Sequence, residues 1–175
     1  MPVDDERSIQ TNSELDQHFL SNPVKLALVV EAADIQPTDH VVEVGAGIGT
    51  VAEHIPVCQS LTVIEYDGNL IPHLRKRVPR AHVIQGDAVR ILPTVRCDVL
   101  LSNLPWRLTP TLVELLPSLD FRVALVTVSS MDKMLPLEDS FMLELVTMLE
   151  PDDFWPRQTA RAAVVRIVRT GAPAG

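Results

Sequence analysis

Short apolar runs recur along this chain, and each is closed by a polar residue or glycine. Val41-Val42-Glu43-Val44 ends in Gly45, and Leu61-Thr62-Val63-Ile64 ends in Glu65. His82-Val83-Ile84-Gln85 ends in Gly86-Asp87, and the run from Cys97 to Ser102 ends in Asn103. Runs this short, rich in Val, Ile and Leu, predict strands buried on both faces. Val123 to Val128 and Ala162 to Val168 predict two more. Between them the pattern predicts helices. These are Val24 to Ala33 behind Asn22-Pro23, Ile48 to Ile55 stopped by Pro56, Leu70 to Val78 stopped by Pro79, Thr109 or Pro110 through Leu116, and Phe141 to Leu149 behind a cap at Asp139 or Ser140. Strands alternating with helices predict an α/β fold, a Rossmann-like doubly wound sheet that is mostly parallel with a final antiparallel strand. Residues 14–170 read as one domain, between a loosely tied N-terminus over 1–13 and a loose tail over 171–175.

In such a sheet, ligands bind outside the carboxyl ends of the strands. Those ends carry Gly45, Gly47 and Gly49, then Glu65, then Asp87, then Asn103, all on one edge. Glycines let a backbone approach a ligand without Cβ clashes. The spacing is not that of a dinucleotide fingerprint, which would need glycine where Thr50 stands. A carboxylate at Glu65 can accept both hydroxyls of a ribose. Asp87 can accept from the exocyclic amine of an adenine, with the Ala88 N–H meeting a ring nitrogen. Asn103-Leu104-Pro105-Trp106 points to amine chemistry. A side-chain carbonyl and a backbone carbonyl that accept both hydrogens of a planar amine localise its lone pair. Pro105 stiffens the turn, and Trp106 offers a flat face for stacking.

Composition narrows the classes. A hydrophobic fraction of 46% marks a folded chain, and no run reaches the roughly 18 apolar residues that span a bilayer. The acidic, polar N-terminus is unlike a secretory signal, so the cytoplasm is the expected location. Cys58 and Cys97 are far apart, the five histidines lack ligand spacing, and no metal is expected. The net charge of −8 opposes a nucleic-acid reading unless two local clusters, Arg75 to Arg80 and Arg157 to Arg169, share one face.

The E-x-G-x-G-x-G run over 43–49 resembles the first motif of class I S-adenosylmethionine (SAM) methyltransferases. With Gln17-His18-Phe19-Leu20, Glu65, Gly86-Asp87-Ala88, Asn103 to Trp106 and Phe154-Trp155-Pro156, the chain resembles the ribosomal RNA adenine N6-dimethyltransferases. The resemblance implies SAM as cofactor. Gln17, His18 and Leu20 would cover its methionine end, Glu43, Gly45, Ala46 and Gly47 would line it, Glu65 and Tyr66 would take the ribose, and Asp87 and Ala88 the adenine. Asn103 with the Leu104 carbonyl would hold the target nitrogen, and Trp106 and Phe154 would sandwich its ring. The chain departs from the family pattern at Trp106, where Tyr or Phe is usual, at Ser129 to Asp132, and at Gln158 and Ala162. The family continues into a small helical RNA-binding domain, and this sequence ends about where that domain would begin.

The leading expectation is therefore methyl transfer to an adenine N6 of rRNA or another RNA, alone or with a protein partner or as a homodimer. A small-molecule or peptide amine is the alternative acceptor, and a SAM-binding module without catalysis is the third reading.

Overall fold

The computed structural model describes residues 9–170. The expected loose tail over 171–175 and most of the expected loose N-terminus lie outside the described residues. Residues 9–13 are tied down. Ile9 packs on Phe19, Ile48 and Leu70, and the Asn12 N–H donates to Gln17 Oε1 at 2.7 Å.

The elements follow in order: β1 (Phe19–Leu20), α1 (Pro23–Ala32), β2 (His40–Val44), β3 (Ser60–Glu65), α2 (Ile71–Arg77), β4 (His82–Gln85), α3 (Ala88–Ile91), β5 (Val99–Ser102), α4 (Thr109–Leu115), β6 (Val123–Val128), β7 (Phe141–Leu149), β8 (Phe154–Trp155) and β9 (Ala162–Arg169). Seven strands form one sheet in the order β4-β3-β2-β5-β6-β9-β7. Pairs from β4 through β6 are parallel, and β9 runs antiparallel to both of its neighbours. One antiparallel strand in a parallel sheet is the architecture expected from the apolar runs. A separate two-stranded ribbon joins β1 to β8, pairing Leu20 with Phe154.

Alternation along the strands divides the core into two layers. Val41, Val63, Leu101 and Leu125 face one, and Val42, Ile64, Leu100 and Val126 face the other. Asn22 caps α1 by accepting from the Val24 and Lys25 N–H groups, with Pro23 at the position helices tolerate best. Cys97 is buried, its thiol pushed up to about 12 by burial and Asp98, and Cys58 is half-buried.

Two expected helices are absent. Residues 48–55 form turns and a single 3-10 turn over Ala52–His54. Gly49 sits at φ +85° and Pro56 closes the segment, which leaves too few residues to nucleate an α-helix. Residues 141–149 form β7. Met, Leu and Glu favour a helix locally, but β9 would otherwise bury an unpaired row of backbone groups along its outer side. Eight residue pairs join the two strands, with a register shift at Leu145/Thr147.

Candidate active site

The carboxyl ends of β2, β3, β4 and β5 open onto one cleft of about 290 Å³. Gln17, His18, Gly45, Gly47, Glu65, Tyr66, Asp87, Ala88, Asn103, Leu104 and Pro105 line it, so most of the residues expected at the site share one cavity.

One wall is built of carboxylates that brace backbone. Glu65, 8% exposed, accepts from the Gly47 N–H through Oε2 and from the Asp67 N–H through Oε1, both at 2.8 Å. Burial raises its carboxyl above the ordinary value, against the lowering effect of the Asp67, Gly47 and Tyr66 N–H groups. Glu65 lines the cleft, and a carboxylate there can act as acceptor for a ribose hydroxyl. Asp67 accepts from the Asn69 N–H and from Gln17 Nε2 at 2.7 Å, and so fastens the segment before β1 over the cleft. Asp87 caps α3 by accepting from the Val89 N–H.

Two glycines set how closely the walls approach. A Cβ at Gly45 would lie 2.9 Å from the Asn103 carbonyl oxygen, and one at Gly47 would lie 2.5 Å from the Phe19 ring. Both residues have positive φ, +69° and +57°. Only glycine therefore brings the loop after β2 against both the turn after β5 and the covering segment.

The opposite wall begins at Asn103. Its backbone N–H donates to the Val44 carbonyl at 3.2 Å, and its Nδ2 donates to the His18 carbonyl at 3.4 Å. That bond leaves Oδ1 as the open acceptor. Among the described residues neither Asn103 Oδ1 nor the Leu104 carbonyl has a hydrogen-bond partner. His18 Nδ1 lies 2.9 Å from the Pro156 carbonyl, which ties the covering segment to the stretch after β8.

A family model for ribosomal RNA adenine dimethylases matches residues 8–116. The chain belongs to that family. The matched span carries the loop after β2, Glu65, Asp87 and Asn103. A ribosomal RNA small subunit methyltransferase A of Prosthecochloris aestuarii is 32% identical over 114 residues, covering 62% of this chain and 44% of the relative. A probable methyltransferase of the same name from Methanothermobacter thermautotrophicus is 30% identical over 188 residues, covering 95% and 68%. The fold matches that of a dimethyladenosine transferase from Plasmodium falciparum with a TM-score of 0.78 at 22% identity, covering 87% of this chain and 64% of that one. The chain thus spans about half to two thirds of the length of these relatives.

Within this member of the dimethylase family, five residues expected at the site do not line the cleft. Leu20 and Ala46 are buried in the core layer that holds Val41 and Leu101. Glu43 lies one residue before the end of β2, on the same side as Val41, so its side chain enters the same layer. Phe154 pairs with Leu20 and is 5% exposed in that layer, and Trp106, turned by a 3-10 turn over Trp106–Leu108, packs against it. The expected sandwich of Trp106 and Phe154 is therefore not formed at the cleft. Leu15, Asp16, Phe19, Ile64, Gly86, Arg107 and Leu108 line the cleft and were absent from the expected set. Arg107 could have been found from its place directly after the N-L-P-W turn, and Phe19 from its place inside the Q-H-F-L stretch.

Several arginines of the two basic clusters are engaged by neighbouring groups. Arg77 pairs with Glu53 at 3.4 Å, and Arg80 donates to the Ile55 and Pro56 carbonyls. Arg157 pairs with Asp152 at 2.6 Å and Arg161 with Glu150 at 2.8 Å. Arg166 donates to the Ala32 carbonyl, and Arg169 lies over the Phe141 ring. Arg107 is exposed, lines the cleft and forms no ion pair among the described residues. No helix among them is long and apolar enough to cross a membrane.

Proposed function

We propose that this chain is the catalytic domain of a SAM-dependent N-methyltransferase that acts on an adenine N6 in ribosomal RNA. The observation that carries the reading is the open pair of acceptors at Asn103 Oδ1 and the Leu104 carbonyl, held against Gly45 in the cleft that Glu65 and Asp87 share.

The residues fit the cofactor. The glycine loop leaves a cradle that side chains would fill, and Glu65 lines the same cleft with a carboxylate acceptor. When bound, SAM supplies an electrophilic methyl group on a sulfonium. Asn103 Oδ1 and the Leu104 carbonyl accept the two amine hydrogens and favour a pyramidal nitrogen with a localised lone pair. The rest is in-line placement, and the proton leaves to solvent after attack. No strong base is required before the bond forms.

A small-molecule amine is the second reading, favoured by the arginines of the 157–169 stretch already committed to acidic partners or carbonyls. Arg107 at the acceptor end of the cleft weighs toward a phosphate-bearing acceptor. The test is transfer of labelled methyl from SAM by purified protein to rRNA or assembling ribosomal particles, with free adenosine and simple amines as comparison acceptors. Label in N6-methyladenine of the RNA supports the proposal, and label only in the small amines overturns it.

A further inference from the structure

Behind Asn103, on the core side, lies a second cavity of about 20 Å³, walled mostly by Leu and Val side chains. Glu43, Ser102 and Thr127 border it too. Glu43 is 2% exposed, and its Oε2 has no hydrogen-bond partner. Its other interaction is with the Ala52 N–H, at the start of the turn after the glycine loop. Strand register explains the meeting. Glu43 pairs with Leu101 and Leu101 with Leu125, so the next inward positions along β5 and β6 are Asn103 and Thr127. Ser102, whose hydroxyl is also unpartnered, borders the cavity, but its register with Val44 and Val126 puts its side chain on the other face.

We propose that this cavity is a one-water site, in which a single water bound by Glu43, Thr127 and Asn103 braces the Asn103 carboxamide from behind while the His18 carbonyl holds it from the front. The volume suits one water, and a buried water needs two to four polar partners. Glu43 is a positioning residue in this arrangement, acting through the water on the group that meets the amine. It supplies the hydrogen as a neutral carboxylic acid.

Burial first, and then the nearby Glu65, push the Glu43 carboxyl up from 4.5 to about 8. The charged groups on the neighbouring elements are exposed or bonded elsewhere. β5 and β6 present Asn103 and Thr127, the 52–54 turn carries exposed Glu53 and His54, α1 carries Lys25 and exposed Glu31, and Arg166 on β9 is bonded to the Ala32 carbonyl. The folded state prefers the protonated acid. The contribution to stability is therefore full below 4.5, is lost as pH rises toward 8, and is flat beyond that.

A high-resolution crystal structure of the chain tests the site directly. A water peak within hydrogen-bond reach of Glu43, Thr127 and Asn103 supports the proposal, and a dry cavity overturns it. The kinetic arm rests on the methyl-transfer reading, so an inactive wild type would bear on that reading and leave the crystallographic arm decisive. Wild-type kcat should fall about tenfold between about pH 7 and about pH 9 as Glu43 ionises. Glu43→Gln keeps both a donor and an acceptor, so it should match wild type near neutrality and hold its rate to the alkaline end. Thr127→Val should lower kcat about fivefold with SAM affinity unchanged. An alkaline fall retained in Glu43→Gln, together with an unaffected kcat in Thr127→Val, would overturn it.

Discussion

The two walls of the cleft treat their polar atoms differently. On the wall formed by the ends of β2, β3 and β4, the carboxylates are already bonded: Glu65 to two backbone N–H groups, Asp67 to Asn69 and Gln17, Asp87 to Val89. On the wall formed by the end of β5, Asn103 Oδ1 and the Leu104 carbonyl stay open. A wall whose groups brace one another is shaped before anything binds, and it spends its chemistry on affinity. A wall with open acceptors has its hydrogen bonds still to make, and can make them most strongly when charge develops on the reacting nitrogen. Mutations on the two sides should therefore separate binding from turnover.

The largest effect is expected on the open wall. Asn103→Ala should lower kcat by about 100- to 1,000-fold, the range seen when one transition-state hydrogen-bonding group is removed. SAM affinity measured by calorimetry should stay within about threefold of wild type. A matching loss of SAM affinity would erase the contrast between the walls.

Glu65→Ala should act the other way. Two N–H groups lose a charged acceptor, and such bonds are worth about 1.5–3 kcal/mol each. SAM affinity should fall about 30- to 100-fold, while kcat at saturating SAM changes little. Glu65→Gln keeps one acceptor and should sit between. A variant that binds SAM normally but turns over slowly would place Glu65 on the wrong wall.

How much of this contrast was legible in the sequence follows from the length scale of each signal. The tips of β2 to β5 were readable because a buried strand is a local apolar run and its end is the first polar residue. Glu65, Asp87 and Asn103 all fall there. Glu43 was misplaced although the same run held the answer, since residues 41 and 43 share a face that points into the core. Trp106 and Phe154 were misplaced for a non-local reason. Only the pairing of β8 with β1, across more than a hundred residues, turns Phe154 inward. The segment over 141–149 failed similarly. Its local propensity is helical, and the strand exists because β9 needs a neighbour on its outer side.

Gly47→Ala tests whether the covering segment belongs with the bonded wall. The new Cβ would stand 2.5 Å from the Phe19 ring, and that ring is backed by Trp155 with centroids 6.1 Å apart. The positive φ adds about 1–2 kcal/mol of backbone strain. SAM affinity should fall about tenfold as the segment is pushed off, and Asn103, held by the His18 carbonyl of that segment, should lose a little turnover as well. An effect on turnover larger than that on affinity would mean that the segment serves the open wall first.

The smallest expected effect distinguishes two kinds of arginine and returns to the acceptor. Arg157 and Arg161 stand in pairs with Asp152 and Glu150, with both partners of each pair at least half exposed, so each pair is worth little and presents no net charge. Arg107 faces the cleft with no carboxylate partner among the described residues. If an RNA phosphate lies beside the open wall, Arg107→Ala should weaken RNA binding by about three- to tenfold and reduce the salt dependence by about one counterion. Arg157→Ala with Arg161→Ala should change neither beyond error, and SAM affinity should be untouched in every case. Should the paired arginines carry the salt dependence instead, the RNA path would run across the β8–β9 side of the molecule, and the open wall would receive its amine without a phosphate contact of its own.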